Sequence, residues 1–151
     1  MADGTYRRIE FQLKRDFFAP DTDPLLGNVF AIQGTAVKSG VAVPFEIDWH
    51  AALNFRLAGD TGLKVTTGEN NVLVIDFNLA QWFDGIDLTK ATVDQDGTIY
   101  INKSSNRDIM RQLHKNIKMS SGFGKDKNKD GKISADERSG QGEDTTDASA
   151  A

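Results

Sequence analysis

The chain reads as a mainly β protein, an antiparallel sandwich with one late helix. Three observations predict this. Apolar residues alternate with period two through the first hundred positions, turn residues separate the runs, and a period near four occurs once, after Ser105. Ile9, Phe11 and Leu13 alternate with Glu10, Gln12 and Lys14, as on a strand with one buried face. Pro20, Asp21, Asp23, Pro24 and Gly27 mark a loop, and Val29 to Val37 forms a second strand. Lys38-Ser39-Gly40 is a short turn into Val41 and Val43, a hairpin. Pro44 cannot donate to a ladder, so it belongs at an edge or a bulge.

Phe45, Ile47 and Trp49 share a parity that continues through Leu53, Phe55 and Leu57, as one long or bent strand requires. Gly59-Asp60-Thr61-Gly62 reads as a turn, with a new strand from Leu63. Gly68 to Asn71 turns into Val72-Leu73-Val74-Ile75, which is apolar on both parities and is therefore expected at the centre of a sheet. Trp82-Phe83 is expected to close one end of the core. Asp94-Gln95-Asp96-Gly97 is a turn before the short strand Thr98 to Asn102. Ser105, with Asp108 three residues on, is a candidate N-cap for a helix over 104–119, whose apolar stripe is Ile109, Leu113 and Ile117. Short antiparallel strands between turns predict an Ig-like or jelly-roll-like β-sandwich.

Composition narrows the function. The 151 residues are 38% apolar and 26% charged, an ordinary globular balance for one domain. Absence of cysteine removes disulfides, thiolate metal sites and cysteine nucleophiles. His50 and His114 are the two histidines, too few for a multi-histidine centre. A net charge of −4 gives no support for capture of nucleic acid. No apolar run approaches the ~18 residues of a membrane span. The opening Met-Ala-Asp-Gly shows no signal peptide, so an envelope location implies a leader already removed. No nucleophile elbow, phosphate loop or histidine–carboxylate–nucleophile pattern occurs, and a non-catalytic protein is expected.

One segment carries a specific pattern. In Asp126-Lys127-Asn128-Lys129-Asp130-Gly131-Lys132-Ile133-Ser134-Ala135-Asp136-Glu137, oxygen-bearing side chains stand at positions 1, 3, 5, 9 and 12, with glycine at 6. Ca²⁺ is a hard cation that takes six to eight oxygens at ~2.3–2.6 Å. Asp126, Asn128 and Asp130 point at one centre, and Gly131 permits the sharp bend. The Lys132 carbonyl faces inward, Ser134 binds directly or through water, and Glu137 closes the site with both oxygens. The segment resembles the EF-hand family across the loop, including apolar Ile133 at position 8. The resemblance implies a Ca²⁺ site made of Asp126, Asn128, Asp130, Lys132, Ser134 and Glu137.

The flanks depart from that family. Gly122 and Gly124 precede the loop where a helix should run, and Gly140 follows soon after it. The pattern is more similar to the single calcium loops of bacterial secreted proteins. A lone loop implies weak binding, on the order of 10⁻⁴–10⁻³ M, and hence a periplasmic or extracellular setting where calcium is abundant. The expected organisation is a β-sandwich over 1–120, a calcium-loop segment over 121–138 and a disordered acidic tail over 139–151. Besides calcium, the expected partners are another envelope or extracellular protein or a glycan.

Two weaker constellations suggest alternatives. Trp49 and His50, in a β-rich body with a Trp82-Phe83 corner, faintly resemble envelope lipoproteins and periplasmic copper-binding proteins associated with methanobactin uptake. That resemblance implies a copper-binding role, although neither His50 nor His114 aligns with a ligand of that family; by alternation Glu46, Asp48 and His50 share one strand face, which reads as a small metal site or as a polar outer face. An exposed Trp82 or Trp49 would instead stack on a sugar ring, as in a carbohydrate-binding module.

Overall fold

The computed structural model describes residues 2–69 and 71–143. It is mainly β, with 43% strand and 14% helix in two sheets, consistent with a β-sandwich-like fold. The strands are β1 (Gly4–Leu13), β2 (Phe30–Lys38), β3 (Val41–Trp49), β4 (Leu53–Val65), β5 (Leu73–Phe77), β6 (Ile99–Ile101), β7 (Ser121–Lys125) and β8 (Arg138–Gly142). Two α-helices accompany them, the single turn α1 (Leu79–Trp82) and α2 (Arg107–Met119), with a short 3-10 helix at Leu88–Lys90 between β5 and β6. One sheet has the order β1-β4-β8-β7-β5 and the other β2-β3-β6.

The early alternation is realised as expected. β1 pairs antiparallel with β4, and Phe11 stacks on Phe55 at 4.7 Å between centroids. β2 and β3 form the hairpin, closed by Ser39 and Gly40, both at positive φ. Two consecutive positive-φ residues match the right-handed twist of the strands they join. Pro44 lies beyond the stretch 45–47 that pairs with β6, so its missing N–H costs the β3–β6 ladder nothing.

Five expectations need correction. The shared parity from Phe45 to Leu57 is not one strand. β3 ends at Trp49 and β4 begins at Leu53 in the other sheet, yet both keep the same residues inside. Gly59 to Gly62 is a bulge within β4, where residues 59–62 face only Arg7 between the pairs Tyr6↔Leu63 and Arg8↔Ala58. The 73–77 strand sits at a sheet edge. The sandwich is not wholly antiparallel, because β3 and β6 run parallel. The long connection between them, through β4 and β5, returns the chain in the same direction. The helix starts at Arg107, and its N-cap is Asn106 in the left-handed region rather than Ser105. The Asn106 side chain instead joins neighbouring segments, accepting from Thr92 N and donating to Thr92 O and Tyr100 O.

The expected segment boundaries also change. β7 and β8 are adjacent members of the five-stranded sheet, so residues 121–125 and 138–142 belong to the body and not to an appended segment or tail. The rest of the expected tail, 144–151, lies outside the described residues. The core is shared by both sheets and α2. Ile47, Leu53, Leu57, Ile99, Ile101, Leu113 and Phe123 are fully buried within one apolar cluster. Trp82 joins it and packs near Phe30 at 5.7 Å, as expected of the Trp82-Phe83 corner. No helix among the described residues is long and apolar enough to cross a membrane.

Candidate metal centre

The 126–137 loop connects β7 to β8, so strands flank it where the EF-hand resemblance implies helices. After Ser134 the chain makes one turn only, with Glu137 N and Arg138 N both donating to Ser134 O. The arrangement is a long hairpin connection in the interior of the sheet, since β8 lies between β4 and β7. Asp126 N donates to Val72 O, which ties the loop entrance to the chain leading into β5. Ile133 packs over Gly124 of β7, where a β-carbon would come within 3.1 Å of its Cγ2.

Short-range hydrogen bonds set the loop's shape. Asp126 accepts from Lys129 N at 2.5 Å and from Gly131 N at 3.0 Å. Asn128 Oδ1 accepts from Asp130 N, and Asp130 Oδ1 accepts from Lys132 N. Each is a local side-chain-to-backbone bond of the kind Asp and Asn make in turns. Gly131 has φ +75°, a conformation that a side chain would strain, in agreement with the sequence reading.

Glu137 closes the loop from its far end. Its Oε1 accepts from Lys127 N at 2.8 Å and Asn128 N at 3.3 Å. Its Oε2 accepts from Ser134 Oγ at 2.6 Å and Ser134 N at 3.1 Å. The Ser134 hydroxyl first, then the Ser134, Lys127 and Asn128 N–H groups, hold its carboxyl down to about 2.

Asp126 and Glu137 are buried at the base of the loop, 8% and 4% exposed. Neither forms an ion pair with a cationic side chain among the described residues. Asn128, Asp130, Lys132 and Ser134 are exposed, and Asp130 Oδ2 accepts from Asn128 Nδ2. The loop thus gathers the two end carboxylates inside and leaves Asp130 at its rim. Among the described residues, no three or more His, Cys, Asp or Glu side chains are grouped to hold a metal ion.

The other candidates fall elsewhere. Asp96 accepts from Thr98 N and from the Tyr100 hydroxyl, so Asp94 to Gly97 is the turn the sequence predicts. Trp49 and Trp82 are 5% and 8% exposed, which leaves neither a free face for a sugar ring. Trp49, His50 and His114 do meet, with Ala51, Lys103, Met110 and Arg111, around a small pocket. Sequence reasoning missed Lys103, Met110 and Arg111, because only packing of α2 near the β3–β4 connection brings them there. It also missed Arg138, whose guanidinium bonds both oxygens of Asp76 at 3.2 and 2.7 Å. No family model, curated protein or solved structure matches the chain.

Proposed function

We propose that residues 126–137 bind Ca²⁺, and that the chain is a secreted or periplasmic calcium-stabilised binding or structural module without catalytic activity. The observation that carries this reading is the burial of Asp126 and Glu137 at the two ends of one loop with, among the described residues, no cationic side chain paired to either. Hydrogen bonds offset the desolvation of these carboxylates but leave their negative charge unneutralised. A divalent ion would supply positive charge there, and the loop's carboxylate, amide, hydroxyl and carbonyl oxygens suit a hard cation.

The residues fit in stated ways. The N–H groups of the loop orient Asp126 and Glu137, and the remaining oxygen lone pairs are available to an ion. Asp130 and Asn128 turn inward from the rim, Ser134 adds its hydroxyl oxygen and Lys132 its carbonyl. Because the loop joins β7 to β8, gathering these oxygens also holds an interior hairpin of the five-stranded sheet closed. Binding is then coupled to the stability of the sheet rather than to a dangling tail.

Titration calorimetry tests the site. The expected result is one calcium per chain with a dissociation constant on the order of 10⁻⁴–10⁻³ M. Magnesium should bind less well, since it tolerates only near-octahedral geometry. Asp126→Asn should weaken calcium at least tenfold. No calcium binding at millimolar concentration would refute the reading.

A further inference from the structure

We infer that the free edge of β2 pairs antiparallel with β2 of a second copy of this chain, joining the two three-stranded sheets into one of six strands. Among the described residues the sheets end on four edge strands, β1, β5, β2 and β6. An open edge presents a row of unpaired N–H and C=O groups, which proteins blunt with charge, proline, a bulge or short length. Three of these edges carry such a device. β1 breaks register at Arg7 and bears Arg8 and Glu10. β5 has five residues, with Asp76 held by Arg138, and β6 has three. β2 carries none of them. It pairs with β3 over nine residues without a break, contains no proline, and has one charge, Lys38 at its end. Lys38 Nζ donates to Ala91 O of its own chain. Among the described residues, no backbone group of residues 31–37 is bonded outside the β3 ladder, and Val37 is 65% exposed.

The strand is complementary to itself. Laid antiparallel to its copy and centred on Gly34, Phe30–Lys38 keeps all nine residues paired. Residues directly opposite then share a face, and the two-fold axis stands perpendicular to the sheet. On the outer face Gln33 meets Thr35 of the second copy, and Ala31 meets Val37 of the second copy, covering an exposed apolar side chain. On the inner face Ile32 meets Ala36 of the second copy. There the Phe45 ring already lies over Gly34, where a β-carbon would come within 2.6 Å of it. At each end Phe30 faces the aliphatic stem of Lys38. Polar residues oppose polar ones, and large apolar residues oppose small ones. Moving the centre one residue either way sets Ala31 against Thr35, or Gln33 against Val37. Antiparallel pairing also keeps the two Lys38 charges at opposite ends of the seam.

One strand pair buries less than the ~1,200 Å² of a stable interface, and each copy carries a net charge of −4, so the dimer is weak. Sedimentation equilibrium and ¹⁵N-resolved spectra of the full chain test it. Between ~20 μM and ~1 mM the expected result is a monomer–dimer equilibrium with a dissociation constant on the order of 10⁻⁴ M. The concentration-dependent amide shifts should centre on residues 30–38. Gln33 and Thr35 are exposed, so substitutions there leave the monomer intact. Gln33→Lys or Thr35→Glu alone sets like charges diagonally across the two-fold axis and should weaken dimerisation roughly fivefold. The double variant Gln33→Lys/Thr35→Glu sets opposite charges face to face and should restore it. A chain monomeric at ~1 mM would overturn the inference and leave the edge to a strand of another protein. Amide shifts confined to residues outside β2, or a double variant as weak as the single ones, would overturn it as well.

Discussion

Glu137 shows how a loop residue becomes structural. Four donors converge on its carboxylate, two of them from Ser134. Its proton affinity falls from an ordinary 4.5 to about 2, with the Ser134 hydroxyl as the first cause. The sign of the linkage follows. Without calcium, the unfolded chain takes up this proton first as pH falls below 4.5, so the contribution to stability is full above that value. It is lost progressively as pH drops toward 2. Ser134→Ala removes the largest cause, and the Glu137 carboxyl should then titrate closer to 4.5 in a calcium-free NMR titration. An unchanged midpoint would mean that the N–H groups alone hold it. The positions of Asp126, Gly131 and Glu137 were legible in the sequence because the spacing itself encodes the turn. The burial of Asp126 and Glu137 was not legible, since it depends on which strands carry the loop.

At the level of elements, the β7–β8 hairpin departs furthest from expectation. β8 is Arg-Ser-Gly-Gln-Gly, with no apolar residue and therefore no hydrophobic period to read. Backbone pairing between β4 and β7 holds it in place, and glycines allow the close approach. A β-carbon on Gly140 would come within 2.3 Å of the Phe123 ring and 2.5 Å of Ala58 O. Gly140→Ala should cost about 1–3 kcal/mol or more, measured by urea denaturation. The Asp76–Arg138 pair joins the edge strand β5 to β8 across β7. Both side chains are about a third exposed, so screening reduces the bridge to a modest contribution. Asp76→Ala should destabilise by ~1–2 kcal/mol with no change in the denaturant slope. The edge position of β5 was equally hidden. Its run is apolar on both parities, which a central strand explains as well as an edge strand covered by other elements.

For the whole molecule, alternation from Ile9 to Leu57 was enough to reach a two-sheet, mainly β fold, because inward parity survives even where the chain changes sheets. The parallel β3–β6 pair escaped notice because β6 is only three residues long and its partner lies some fifty residues earlier. The consequence for the proposed function is that the 126–137 loop joins two interior strands of the larger sheet, so an ion bound there should stabilise the entire fold. Thermal unfolding with and without calcium tests this most directly, comparing the chain with its Glu137→Gln variant. With a dissociation constant of roughly 10⁻⁴–10⁻³ M, 10 mM Ca²⁺ should raise the melting temperature of the chain by roughly 3–10 °C in a single cooperative transition. Glu137→Gln should show no such rise. A melting temperature unmoved by calcium, or a rise that persists in Glu137→Gln, would contradict the account.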